Sequence, residues 1–95
     1  MAEVLGRRIE AEEFVLRDSE GKIRARLAVE RGGPRLTLLD AAGRRRAAIA
    51  VGDEAAGVFF YAADEQKRVW VGFDERGGPA IALWSEDGRL TYERR

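Results

Sequence analysis

The stretch "RDSEGKIRARLAV", Arg17–Val29, decides the fold. Its head, Asp18-Ser19-Glu20-Gly21, is polar, and in its tail Ala25, Leu27 and Val29 occupy every second position. Alternation of period 2 is the pattern of a strand with one buried face. An Asp at the first turn position accepts hydrogen bonds from its own turn, and a Gly at the last takes left-handed backbone at no steric cost. The stretch therefore reads as the type I turn and second strand of a β-hairpin.

The same shape returns as "LDAAGRRRAAIAV" (Leu39–Val51), "YAADEQKRVWVGF" (Tyr61–Phe73) and "WSEDGRLTYER" (Trp84–Arg94). Aligned on Gly21, Gly43, Glu65 and Gly88, the copies are spaced by 22, 22 and 23 residues. Before each turn stand apolar pairs: Phe14 and Leu16, Leu36 and Leu38, Val58 and Phe60, Ile81 and Leu83. After it come Ala25, Leu27 and Val29, then Ala47, Ile49 and Val51, then Val69, Val71 and Phe73, and finally Tyr92. Eight strands are predicted, at 13–17, 22–30, 35–39, 44–51, 57–62, 67–73, 80–84 and 89–93. The links "ERGGPR", "GDEAAG" and "DERGGPA" are rich in Gly, Pro and charge and read as loops.

The expected fold is all-β: one domain over residues 1–95, built from four antiparallel β-hairpin repeats of about 22 residues, approximately 12–33, 34–55, 56–78 and 79–95. They form a meander, a small barrel or a short hairpin stack, with the apolar columns as the buried face. Glu65 in the glycine column predicts a distorted third turn. Two registers suit the first hairpin. A four-residue connection pairs Leu16 with Ile23 and Phe14 with Ala25, whereas Gly21 in a bulge pairs Leu16 with Arg24. Residues 2–11 fit helix or strand.

The cores "LLDAAGRRR" and "LWSEDGRLTYE" resemble the YD repeats of bacterial Rhs-type proteins, with Leu39-Asp40, Gly43-Arg44 and Gly88-Arg89-Leu90-Thr91 on the matching positions. Residues 12–93 are more closely similar to uncharacterised bacterial repeats of the form F-x-L-x-D-x-x-G-K-x-R-A-x-L. The resemblance implies an all-β repeat architecture and supplies no activity, cofactor or functional residue.

Composition narrows the chemistry. Seventeen basic and 17 acidic residues balance to zero, which argues against a dedicated nucleic-acid binder. With no Cys and no His there is neither a thiolate nor an imidazole for catalysis or metal binding. The longest apolar runs, "AAIAV" and "VFFYAA", are far too short to span a bilayer, and the N-terminus lacks a secretory signal. These features suit a cytoplasmic protein. Ser19, Thr37, Ser85 and Thr91 lie in no nucleophile motif, and "RGGP" at 31–34 and 76–79 lacks the strand–loop–helix setting of a phosphate loop. The expectation is no catalysis, no cofactor and no metal. The acidic doublets Asp53-Glu54, Asp64-Glu65, Asp74-Glu75 and Glu86-Asp87 read as solvated turn tips.

Two sets of residues are candidates for binding. Arg24, Arg46 and Arg68 share one column, closed by Thr91, and make an anion-binding ladder or an exposed face paired with Asp and Glu. Phe59, Tyr61, Trp70 and Trp84 fall on the face opposite the apolar columns, where the earlier copies have residues such as Arg17, Arg26 and Ala48. Strands apolar on both faces are usually covered on both sides, and aromatics favour interfaces. The function expected is a non-catalytic structural or protein-interaction module that homo-oligomerises through these four aromatics. The alternative is a β module binding a small ligand or polyanion through the arginine column or the aromatic patch.

Overall fold

The computed structural model describes residues 3–52, 56–73 and 76–94. The chain is all-β. A short hairpin, β1 (Glu3–Leu5) and β2 (Arg8–Glu10), turns at Gly6 with φ 62°, so residues 2–11 resolve to strand and not helix where they are described. Among the described residues its backbone does not come close to the other strands.

Eight further strands follow: β3 (Glu13–Arg17), β4 (Ile23–Glu30), β5 (Gly33–Leu39), β6 (Arg45–Val51), β7 (Ala56–Tyr61), β8 (Lys67–Phe73), β9 (Pro79–Trp84) and β10 (Leu90–Arg94). They pair antiparallel in chain order as one eight-stranded sheet. Of the three expected arrangements this is the meander. The sheet does not close, because β3 and β10 are its two free edges.

The hairpin register combines the two expectations and matches neither. Gly21 N–H donates to the Asp18 carbonyl at 3.0 Å, and Asp18 N–H donates to the Lys22 carbonyl at 2.9 Å. Gly21 has φ 83°, left-handed backbone that suits glycine. This glycine bulge sets Arg17 opposite Ile23. Continued unchanged, it would place Leu16 against Arg24 and mix the faces. A second bulge at Arg24 restores the phase, so Leu16 faces Ala25 and Phe14 faces Leu27. The same shift passes over Arg46 between Leu39–Arg45 and Leu38–Ala47, and over Arg68 between Tyr61–Lys67 and Phe60–Val69. It passes over Thr91 between Leu90–Trp84 and Tyr92–Leu83. The arginine column is thus the column of phase-restoring residues.

The third turn is not distorted. Glu65 takes φ 62° and closes the turn through its N–H to the Ala62 carbonyl at 2.9 Å, as the glycines do. The left-handed region costs a side chain roughly 1–2 kcal/mol. Glu65 Oε1 accepts a hydrogen bond from Arg45 N–H at 3.0 Å, a contact that glycine cannot make.

The registers assemble two cross-strand rows that run through all eight strands on one face. One is Leu16, Ala25, Leu38, Ala47, Phe60, Val69, Leu83 and Tyr92. The other is Phe14, Leu27, Leu36, Ile49, Val58, Val71, Ile81 and Arg94. Only Arg94, on an edge strand, breaks their apolar character. The expectation that these columns form the buried face is corrected here. Val29 on this face is 76% exposed, Leu16 63%, Phe73 54% and Ile49 51%. The reason is topological. Eight consecutive hairpin-linked strands lie in a single layer, and among the described residues no helix or second sheet lies over it.

The buried residues are Ala28, Ala48, Ala80 and Ala82, all on the opposite face. There, long side chains lie across a trough of small ones. Trp70 packs over Gly57, where an added Cβ would strike the indole.

Candidate functional site

The two faces present different chemistry. On the face of the buried alanines one cross-strand row reads Val15, Arg26, Thr37, Ala48, Phe59, Trp70 and Ala82. Strand parity brings all four sequence-predicted aromatics to this face. Phe59 and Tyr61 rings stack at 6.4 Å between centroids with planes 27° apart, and Trp70 is the cross-strand partner of Phe59. Lys67 Nζ lies 5.2 Å from both the Phe59 and the Trp84 rings, joining the four into one cluster. Each of them is half-buried by its own chain.

Of the cations over this cluster, Arg45 stands in the run Arg44-Arg45-Arg46, which reads from the sequence as a solvated strand start or a contributor to an anion site. Arg45 sits 4.7 Å above the Tyr61 ring and Arg35 5.9 Å from that of Phe59. Arg35 Nη2 also donates to the Tyr61 hydroxyl at 3.0 Å. Such contacts are worth about 0.5–1 kcal/mol each at exposed sites. The parity that located the aromatics also places Arg26 and Arg35 on their face, whereas Arg45 and Lys67 share the parity of the apolar columns and reach the aromatic face only through the bulges at Arg46 and Arg68. Beside the cluster runs a shallow groove that Lys22, Arg26, Arg35 and Arg45 line, with Glu30 as its one acidic residue.

The arginine column is engaged in a recurring contact. Arg24 Nη1 pairs with Asp18 at 3.5 Å, Arg46 Nη1 with Asp40 at 3.5 Å and Arg68 Nη2 with Asp64 at 2.9 Å. Each arginine thus reaches the aspartate of its own turn. Each also donates to a carbonyl of the next hairpin: Arg24 to Leu39, Arg46 to Tyr61 and Arg68 to Glu86, all at 3.1 Å. In the last hairpin Thr91 occupies the column and its hydroxyl donates to the Leu83 carbonyl at 3.3 Å, within the same hairpin.

The turn aspartates are held below the ordinary carboxylate range. For Asp18 the largest cause is the Lys22 backbone N–H, for Asp40 that of Arg44 and for Asp64 that of Gln66. For Asp87 it is the Ser85 hydroxyl, followed by the Arg89 N–H. Partial desolvation opposes the shift in each case. Of the acidic doublets, Asp64-Glu65 and Glu86-Asp87 sit in turns, while Asp53-Glu54 and Asp74-Glu75 lie outside the described residues. Among the described residues no group of Asp and Glu is placed to hold a metal ion.

The uncovered apolar face extends across all eight strands of the sheet. Monomeric proteins rarely expose contiguous apolar patches beyond a few hundred Å², and larger ones mark interaction sites. Compared with protein-family models, curated proteins and solved structures, the chain matches none.

Proposed function

We propose that the chain is a non-catalytic structural or protein-interaction module, an array of four hairpin units that works by burying one sheet face against a partner layer. One observation carries this reading: the two apolar rows cross all eight strands and most of their large side chains stand exposed. Domains are built from at least two packed layers around a core, and this chain supplies one. The lack of His and Cys leaves no imidazole or thiol chemistry and fits the same reading. The aromatic cluster is weaker support for association, since its own chain half-covers it, and the apolar face takes its place as the contact surface. Light scattering with an apolar fluorescent dye tests the module. The expected result is an assembled protein, or a monomer that binds the dye through the open face. A monodisperse monomer that binds no dye sinks the reading.

The groove of Lys22, Arg26, Arg35 and Arg45 favours a second reading, a polyanion-binding β module. Arg24, Arg46 and Arg68 hold aspartates and carbonyls, and in the groove Lys22 pairs with Glu20, Arg26 with Glu13 and Arg45 with Glu65, so a polyanion there would compete with these exposed pairs. Titration with inorganic polyphosphate tests it: binding that Arg35→Ala leaves unchanged removes this reading.

A further inference from the structure

Resting on the interaction-module reading, we infer that the partner layer is a second copy of this chain, packed apolar face to apolar face about a two-fold axis parallel to the strands. The product is a two-layer β-sandwich.

Area is the first argument. Neighbouring strands lie about 4.8 Å apart and rise about 3.3 Å per residue, so eight strands averaging six residues present roughly 34 × 20 Å. Two such faces together remove about 1,400 Å² from water, within the roughly 1,200–2,000 Å² of specific, stable interfaces. Composition is the second. Between the edges the paired positions of the two rows hold no charged or hydrogen-bonding side chain, and Arg24, Arg46 and Arg68 at the bulges beside them already hold aspartates and carbonyls, so covering the rows strands no polar group. Arg94 lies on an edge strand, where its guanidinium reaches water at the rim. Shape is the third. Two copies of one sheet carry the same twist, as aligned sheet packing at about 10 Å requires.

Charge selects between the two ways of laying one copy on the other. Residues 1–50 carry 11 basic and 8 acidic residues, a net +3, and residues 51–95 carry 6 and 9, a net −3. An axis parallel to the strands reverses the strand order, setting β3 over β10 of the other copy and opposing the positive half to the negative one. An axis across the strands sets β3 over β3 and like charge over like. Screening keeps the difference small, but its sign favours the first arrangement.

Sedimentation and cross-linking of the full chain test this. The wild type is expected at twice 10.6 kDa. Val71→Lys, in the middle of the face, should shift the mass to that of the monomer, while Trp70→Ala, on the opposite face, leaves it doubled. If Val71→Lys does not fold, cysteine pairs decide, because the chain has no cysteine of its own. A mixture of Phe14→Cys and Tyr92→Cys proteins should couple through a short bis-maleimide, and Phe14→Cys alone should not. Self-coupling of Phe14→Cys overturns the axis. A dimer that survives Val71→Lys and is lost in Trp70→Ala overturns the choice of face. A wild-type mass other than twice the chain overturns the second copy. If that protein is a dye-binding monomer, the module reading stands with a different partner, and if it binds no dye both fall.

Discussion

Arg46 donates its Nε–H to the carbonyl oxygen of Tyr61 at 3.1 Å, linking the bulge of one hairpin to the strand that enters the next turn. Arg24 and Arg68 make the equivalent link to Leu39 and Glu86. These bonds join consecutive hairpins, and the Arg46 guanidinium also reaches Asp40 of its own turn, so its loss weakens both the sheet between units and that turn. Arg46→Ala is expected to lower the unfolding free energy by about 1 kcal/mol, below the roughly 1.5–3 kcal/mol of a hydrogen bond involving a charged group because this one is solvent-exposed. Urea unfolding followed by tryptophan fluorescence reads this, and an unchanged midpoint refutes the link.

Trp70 packs directly over Gly57 on the face of the buried alanines. Gly57→Ala drives a methyl into the indole, and overpacking of this kind costs roughly 1–3 kcal/mol. The combined variant Gly57→Ala with Trp70→Ala should lose less than the sum of the two single changes, because the clash has gone. Strict additivity in urea unfolding would count against the contact.

Glu65 carries two opposed effects. Its left-handed backbone costs roughly 1–2 kcal/mol, and its exposed contact with Arg45 returns a few tenths of a kcal/mol. Glu65→Gly is therefore expected to stabilise the protein by about 1 kcal/mol, visible as a higher urea midpoint. A loss of stability would show that the Arg45 contact outweighs the strain.

Asp18, Asp40, Asp64 and Asp87 set the response to acid. Donors that hold their charged form depress their folded-state pKa values below the unfolded carboxylate range near ~4. The stabilisation is fully present above that range and is lost as pH falls through the lower, folded-state values. Stability should be flat from neutral pH down to about 5 and decline below about 4. Asp40→Asn should make the decline shallower. A protein that gains stability on acidification to pH 3 would contradict the assignment.

Much of the fold could be read from the chain because the signals were local. Asp18 with Gly21, and the alternation at Ala25, Leu27 and Val29, located the strands of the sheet to within a residue or two. The register escaped because two bulges act together in each hairpin, one at the glycine and one at the arginine. Considered singly, each predicts a different partner for Leu16. The exposure of the apolar face escaped because period 2 shows which residues share a face and carries nothing about what covers it. Phe59, Tyr61, Trp70 and Trp84 were placed together by parity, and Arg35 shares it, whereas Arg45 has the parity of Ala47 and crosses to their face only through the bulge at Arg46. The column of Arg24, Arg46 and Arg68 was visible, but its task depends on carbonyls 15 to 18 residues away that no local pattern displays.

The paired bulges also say how such a chain can change its length. Deleting Arg46 alone would rotate everything after it by one strand position and turn a whole strand inside out. Inserting a complete hairpin, with its own glycine and arginine, would leave every face as it was and add one more staple. Change in length by whole hairpins therefore keeps every face in place, whereas a single-residue change at Arg24, Arg46 or Arg68 does not.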